Sequence, residues 1–534
     1  MLAGCSPFAD ADHSVSPPRI AFPREYNAAA DLVERNLAAG RGDRPAFIDD
    51  AGRYSYRELS TRVNRCANAW RRLGLRMEDR VALLLHDSID FPTAFLGAIR
   101  AGIVPIPFNT LLTADDYEYL LADSRARAIV VSAALLPMIA PLKVRLPMLE
   151  HVIVSGDADG ATLFSGWIAG EASTASVAPT TCDDVCFWLY SSGSTGAPKG
   201  AVHLHSDLAS TAELYARPIL GIGADDVVFS AAKLFFAYGL GNALTFPLAA
   251  GACAVLMAER PTPAAVFKRL TALRPTIFYG VPTLYAALLA SADFPQREAL
   301  ALTRCVSAGE ALPAELGRRW RERTGVDILD GLGSTELLHI FLSNRRDDVR
   351  YGTTGKPVPG YALRLVDEAG QAVATGEIGE LQVNGPTSSP YYWNNRARSL
   401  ATFIGPWTKS GDKYTVDADG YYVYCGRTDD MLKVGGVYVS PFEVEAALAT
   451  HDSVLEAAVV GHKDESELVK PKAFVVLKPG RGAATDLAVE LQEHVKARLA
   501  PFKYPRWIEF VDELPKTATG KIQRFKLRAR AGNL

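Results

Sequence analysis

The feature that most constrains this chain is a repeated alternation of short buried-strand patterns with amphipathic helical ones. Asp79 to Leu85 reads as a buried strand, and Asp90 to Ala101 carries the apolar spacing of a helix that Gly102 ends. Farther on, Cys186 to Tyr190, Ala252 to Met257 and Thr276 to Tyr279 read as strands, with helices expected at Pro263 to Leu273 and Pro313 to Thr324. Strands alternating with helices imply a wound α/β core. Near Tyr351 the texture changes to short runs such as Ala362 to Val366 and Glu380 to Val383, punctuated by Gly and Pro, which predicts a small β unit. After Gly426 come a helix at Pro441 to Thr450, strands at Glu456 to Val460 and Lys472 to Leu477, and a long helix at Asp486 to Leu499. This last stretch reads as a separate α+β domain.

Composition narrows the function. The chain has 534 residues, 48% hydrophobic, and its 57 Lys+Arg against 60 Asp+Glu leave a net charge of −3. At about 150 residues per domain, the length predicts about three or four domains, each able to bury a core. A near-neutral balance offers little long-range attraction to phosphate backbones or anionic lipid, so neither nucleic acid nor a membrane is an expected partner. The seven cysteines form no C-x-x-C pair and no zinc-spaced cluster, which fits a reducing cytoplasm. Met1-Leu2-Ala3-Gly4-Cys5 has the letters of a lipoprotein cleavage site but lacks a basic head and an apolar stretch before Cys5, so a disordered tail to about Pro23 is expected instead. Gly239 to Met257 is apolar but carries internal Gly and Pro, as buried elements do.

Chemistry concentrates first in Tyr190-Ser191-Ser192-Gly193-Ser194-Thr195-Gly196-Ala197-Pro198-Lys199-Gly200, which follows a predicted strand. Glycines, hydroxyls and one ammonium at this density can present N–H, O–H and positive charge to phosphate oxygens. The alternative is a flexible surface loop. A Walker loop is excluded, because Pro198 precedes Lys199 and Gly200 follows it.

This loop resembles the phosphate-binding signature of the adenylate-forming superfamily of acyl-CoA synthetases, adenylation domains and luciferases, and four further segments resemble its motifs in the same order. They are Asp330-Gly331-Leu332-Gly333-Ser334-Thr335-Glu336, Ser410-Gly411-Asp412, Gly426-Arg427-Thr428-Asp429-Asp430-Met431-Leu432-Lys433, and Pro515-Lys516-Thr517-Ala518-Thr519-Gly520-Lys521. The resemblance implies a large N-terminal AMP-binding domain over 1–428, with a β-barrel-like part at about 351–428. A small mobile α+β lid would occupy 429–534.

It also implies roles. ATP would be bound by Ser191 to Gly196, Lys199, Ala308, Gly309, Glu310, Asp330 to Thr335, Asp412 on the ribose, and Arg427. Glu336 would hold Mg2+, Lys521 and Thr195 would stabilise the reacting phosphate, and Asp429 would be the hinge. Lys433, Gly435 and Gly436 would face the CoA channel after the hinge turns. This division suits the chemistry, since a carboxylate attacking ATP needs cations around the phosphates, and the later thiol needs Lys521 out of its path.

Within the superfamily the resemblance is closest to the benzoate-CoA ligase group, through Lys233-Leu234-Phe235-Phe236-Ala237-Tyr238-Gly239-Leu240-Gly241-Asn242 and Leu337-Leu338-His339-Ile340-Phe341-Leu342-Ser343-Asn344. At Phe236 amino-acid-activating relatives carry an Asp for the substrate ammonium. Phe236 has no charge or hydrogen bond to give, so an α-amino acid would bury an unpaired ammonium. A flat apolar ring is the expected guest, bounded by Phe236, Ala237, Tyr238, Ala308, Gly309, Gly331, Gly333 and Ile340. His339 either orients the carboxylate, lines the ring's edge, or is a buried histidine bonded to backbone.

The resemblance thus implies an AMP-forming aryl-CoA ligase acting on benzoate or a close derivative, with 2-aminobenzoate or 4-hydroxybenzoate as alternatives. Rival expectations are an enzyme that loads an aryl acid onto a separate carrier protein, and a nucleotide-binding regulator that has lost chemistry. The regulator would be expected to lack Lys521, Glu336 or Asp412, and all three are present. Monomer and homodimer are both open.

Overall fold

The computed structural model describes residues 7–191, 197–428, 430–434, 437–465, 468–480, 485–500, 502–516 and 522–532. Two parallel sheets form the centre of the first 350 residues. One has five strands in the order Val104–Pro107, Arg80–Leu84, Ala128–Ser132, His151–Ser155 and Thr162–Leu163, all parallel. The other has nine strands, in the order Lys356–Pro357, Ile340–Ser343, Ile328–Gly333, Arg304–Ala308, Ile277–Gly280, Val227–Ser230, Cys253–Val255, Pro45–Ile48 and Arg53–Ser55. Its middle is parallel, and antiparallel strands close both edges.

Periodicity explains the helices that cover these sheets. Tyr56–Arg72 starts with a capping box in which Ser55 and Glu58 exchange side-chain and backbone hydrogen bonds, and it buries Tyr56, Leu59, Val63 and Trp70. In Ala314–Thr324 the buried face is Leu316, Gly317 and Trp320, while Arg318, Arg319 and Arg321 are exposed, as expected of a solvated helix face. Asp90–Arg100 is followed by Gly102 at φ +77°, the left-handed backbone that stops a helix. Gly239 to Met257 is buried throughout, and among the described residues no helix is long and apolar enough to cross a membrane.

A five-stranded antiparallel sheet follows, from Ala362–Val366 through Gly379–Asn384, Phe403–Ile404 and Trp407–Val416 to Tyr422–Arg427. Beyond it, Val454–Lys463, Val469–Leu477 and Trp507–Phe510 make a three-stranded sheet packed by helices Pro441–Ala449, Thr485–Lys496 and Arg524–Arg530.

The N-terminal expectation fails for the described residues. Instead of a disordered tail to Pro23, Asp10–Asp12 pairs antiparallel with Arg19–Ala21. The buried Asp31 carboxylate accepts the Ala9 N–H at 3.1 Å and the Tyr26 hydroxyl at 2.7 Å, and His13 reaches Glu213 at 2.7 Å. The ties of Ala9 to Asp31 and of His13 to Glu213 join residues 22 and 200 apart in sequence, so local composition did not reveal them. Residues 1–6, including Cys5, lie outside the described residues.

Candidate active site

Parallel strands deliver their carboxyl ends to one edge, the usual place for a site in a wound sheet. Val227–Ser230, Ile277–Gly280, Arg304–Ala308 and Ile328–Gly333 all end there, followed by the segments that carry Phe236, Val281, Gly309 and Ser334. The hairpin of Val185–Ser191 with Lys199–Leu204 lies beside them, with Ser191 opposite Lys199. The predicted phosphate loop falls in sequence between these two strands, and Ser192, Gly193, Ser194, Thr195 and Gly196 lie outside the described residues.

Lys199 and Glu336, far apart in sequence, meet here. The Lys199 ammonium donates to Glu336 Oε1 at 2.9 Å and lies 2.6 Å from the Tyr392 hydroxyl, which itself donates to Glu336 Oε1 at 2.7 Å. Burial alone would raise the Glu336 carboxyl, but the Lys199 charge and the two hydrogen bonds outweigh it and hold the group below the usual carboxylate range. Glu336 sits in the 3₁₀ turn Thr335–Leu337, pinned from two directions. His203 Nε2 donates to the Thr335 carbonyl at 2.7 Å, with its Nδ1 on Asp207 at 2.9 Å, and the Ser389 N–H reaches the Glu336 carbonyl at 2.7 Å. Ser334 Oγ is buried without a hydrogen-bond partner among the described residues.

That donor set suits magnesium better than a metal held wholly by protein. Among the described residues no group of three or more His, Cys, Asp or Glu could hold an ion. Magnesium keeps most of its waters and needs only one or two carboxylates beside substrate phosphates.

Three residues after Glu336 the character of the site inverts. Leu338 takes φ +67°, an unusual value for a branched residue, and turns the chain so that His339 enters an aromatic box. The imidazole lies 4.4 Å from the Phe246 ring, 5.5 Å from Tyr215 and 5.8 Å from Tyr238. Burial pushes it down to about 3, so it is neutral. Its Nε2 faces two acceptors, Asn242 Oδ1 at 3.2 Å and the Tyr238 carbonyl at 3.4 Å, which puts the proton on Nε2. Nδ1 is then a bare acceptor, buried and unpartnered among the described residues. Of the readings open for His339, backbone bonding is thus observed.

Glycines make this box possible. A Cβ on Gly241 would come within 2.3 Å of His339 Cδ2, and one on Gly333 within 2.6 Å of the His339 carbonyl oxygen. Gly331 faces Ile340, whose Cδ1 would lie 2.9 Å from a Cβ there. Ala308 pairs with Gly331 in register, and Gly309 turns away at φ +94° with Glu310 following. Phe236 and Ala237 are half-buried, and the half-buried Tyr238 donates its hydroxyl to the carbonyls of Val306 at 3.2 Å and Gly280 at 3.3 Å. Asp330 and Leu332 lie in the same strand as Gly331, and burial holds the Asp330 carboxyl well above its ordinary range.

The antiparallel sheet contributes Asp412, which is buried opposite Arg427 with Oδ1 3.2 Å from the guanidinium. Gly411, at φ +75°, leaves room for that arginine, since a Cβ there would be 2.8 Å from it. Lys433 lies in the strand Leu432–Val434, while Asp429, Gly435, Gly436 and Lys521 lie outside the described residues.

The sequence analysis missed Tyr392 and His203. The aromatic run Tyr391-Tyr392-Trp393 was the available signal for the first, and the i, i+4 pair His203 and Asp207 for the second.

Comparison with known proteins shows the family. The AMP-binding enzyme profile matches residues 34–393 and the AMP-binding enzyme C-terminal domain profile matches 443–521. The chain belongs to the AMP-binding enzyme family. A benzoate–CoA ligase of Thauera aromatica is 65% identical over 97% of this chain and 99% of its own. The crystal structure of a benzoate CoA ligase from Burkholderia xenovorans LB400 is 56% identical, covers 94% of this chain and 100% of its own, and superposes with a TM-score of 0.89. An anthranilate CoA ligase solved with anthranoyl-AMP is 46% identical over 96% of this chain and 98% of its own, with a TM-score of 0.92. The adenylate-forming fold expected from the motifs is therefore the fold of this family member.

Proposed function

We propose that this protein is an AMP-forming aryl-CoA ligase that converts benzoate, or a closely related ring acid, with ATP and CoA into the aryl-CoA, AMP and pyrophosphate. The observation that carries the reading is the junction at 334–339, where a half-buried Lys199–Glu336 pair stands three residues from an uncharged aromatic box. Identity to the benzoate ligase of Thauera aromatica over almost the whole chain supports it.

In the first step a substrate carboxylate oxygen attacks the α-phosphorus of ATP, the bond to the bridging oxygen of the β-phosphate breaks, and pyrophosphate leaves. Lys199 and the loop Ser191 to Gly196 would hold the phosphates. Asp412, beside Arg427, would take the ribose hydroxyls, and the segments Ala308 to Glu310 and Asp330 to Thr335 would enclose the nucleotide. Glu336 would hold Mg2+ with phosphate oxygens and waters, and the ion would offset negative charge on the leaving pyrophosphate. The neutral His339 and the Phe236, Ala237 and Tyr238 wall would accept the ring without offering an ion a partner, which disfavours amino acids. In the second step the CoA thiolate attacks the acyl carbon and AMP leaves. Turning about Asp429 would withdraw Lys521 and bring Lys433, Gly435 and Gly436 to the thiol path.

His339 Nδ1 favours a second reading, because an N–H or O–H ring substituent would satisfy that buried acceptor. The preferred acid would then be 2-aminobenzoate or a hydroxybenzoate. One assay decides between them: AMP release from ATP and magnesium, with and without CoA, across benzoate, 2-aminobenzoate, 4-hydroxybenzoate, octanoate and phenylalanine. CoA-dependent release highest with benzoate supports the first reading, and a preference for an amino or hydroxy acid supports the second. Release indifferent to CoA, or highest with octanoate or phenylalanine, overturns both.

A further inference from the structure

The strand Arg80–Leu84 of the five-stranded sheet runs on to Asp87, whose residue is 3% exposed. Both carboxylate oxygens face the backbone N–H of Leu234, at 3.2 and 3.3 Å. Leu234 lies in the segment that follows Val227–Ser230 of the other sheet and leads into Phe236. Its neighbour Lys233 donates to the carbonyls of Met257 and Glu259, the latter at 2.7 Å, just past the strand Cys253–Val255. Asp87 and Lys233 attract each other, and each is desolvated: burial pushes the carboxyl up to about 6 and the ammonium below its ordinary range. Packing alone does not require either group, because burying a polar or charged side chain costs more than burying an apolar one of similar volume.

The segment that the pair holds is stiff. The Phe236 N–H donates to the Lys233 carbonyl at 3.1 Å, and the Leu240 N–H to the Phe236 carbonyl at 2.8 Å. A Cβ on Gly239 would lie 2.0 Å from the Lys233 carbonyl oxygen, so the turn is closed on itself. A shift of Lys233 or Leu234 is therefore transmitted to Phe236, Ala237 and Tyr238. We propose that Asp87 and Lys233 are positioning residues for the aryl wall, fixing Phe236 to Tyr238 against the end of the neighbouring sheet and thereby setting discrimination between benzoate and ortho-substituted ring acids. The proposal rests on the aryl-CoA ligase reading.

The test uses the full-length enzyme with Asp87→Asn, Lys233→Met and the double variant. Asp87→Asn should raise KM for benzoate about tenfold while KM for ATP and kcat stay within about twofold, a split of the kind expected when substrate positioning is lost. Preference for benzoate over 2-methylbenzoate should fall. The double variant should be no more impaired than the worse single variant, since both residues hold the same segment. Lys233→Met gives the same reading if Asp87→Asn does not fold. Unchanged benzoate KM and discrimination, a parallel rise in KM for ATP, or additive losses in the double variant would overturn the positioning role. Wild-type enzyme that releases no AMP with any ring acid would overturn the ligase reading instead.

Discussion

The two ends of the turn between Ser334 and His339 treat buried polarity in opposite ways. At the Glu336 end charge is kept and paired, with Lys199 and Tyr392 converging on one carboxylate oxygen. At the His339 end charge is removed, since burial among Phe246, Tyr215 and Tyr238 leaves a neutral imidazole. The proposed adenylyl transfer and ring binding call for these opposite environments side by side, and the φ +67° turn at Leu338 would let one short segment serve both. The contrast predicts that, under the proposed function, selectivity and catalytic charge can be altered separately.

The largest test of that separation is Glu336→Gln. Removing one preorganised charged partner at an adenylyl-transfer site should lower the adenylation rate by about 10²–10³-fold. Benzoate KM should change little. Equal losses in kcat and in ring binding would show that the two ends act as one unit. Phe236→Asp is the converse experiment. It brings a carboxylate to the apolar wall, and kcat/KM for benzoate should fall about 100-fold while ATP-dependent release with a cationic ring acid suffers less. Steady-state kinetics against both acids checks this, and an unchanged profile would remove Phe236 from the pocket.

Acid titration distinguishes the ends by the pH window in which each loses stability, since both groups are held below their ordinary values. His339 and His205, held at about 3 and about 4, both lie below the ordinary histidine value of 6.5. Between those limits the unfolded chain binds more protons, so the stability each neutral imidazole contributes is present above pH 6.5 and lost as pH falls. The slope is up to about 1.4 kcal/mol per pH unit for each histidine. Glu336, held below its ordinary value of 4.5, adds nothing until lower pH. Asp87, raised to about 6, acts in the opposite sense but is common to the proteins compared. Urea melts of wild type and His339→Asn from pH 7 to 4.5 should therefore show a shallower decline in the variant. Parallel declines would mean that the imidazole is not desolvated.

How far the sequence foretold this arrangement follows from the range of the contacts. Strands buried on both faces, such as Arg80–Leu84, and helices with clean periodicity, such as Ala314–Thr324, lie close to their expected bounds because local pattern decides them. Val104–Pro107 gave no such signal, since two of its four residues are prolines. It is an edge strand, where a missing N–H costs no ladder bond. The family resemblance marked Lys199 and Glu336 as phosphate and metal candidates, but the hydroxyl that bridges them belongs to Tyr392, in a segment beyond the nine-stranded sheet. The N-terminal hairpin was hidden for the same reason, its anchors Asp31 and Glu213 being distant in the chain.

Tyr392 offers the smallest and sharpest effect. Its hydroxyl lies 2.6 Å from the Lys199 ammonium and donates to Glu336 at 2.7 Å, and the ammonium also lies 4.3 Å from the Tyr392 ring centroid. Tyr392→Phe keeps the ring and the cation–π contact and deletes only the hydroxyl. A hydrogen bond to a charged group contributes about 1.5–3 kcal/mol, but the direct Lys199–Glu336 contact at 2.9 Å survives and recovers part of it. The expected loss is about fivefold to tenfold in kcat/KM for ATP, with benzoate KM unchanged. A loss as large as that of Glu336→Gln would mean that the hydroxyl, and not the lysine, keeps the carboxylate ionised. An effect on benzoate KM would mean that the turn at Leu338 couples the charged end to the aryl end.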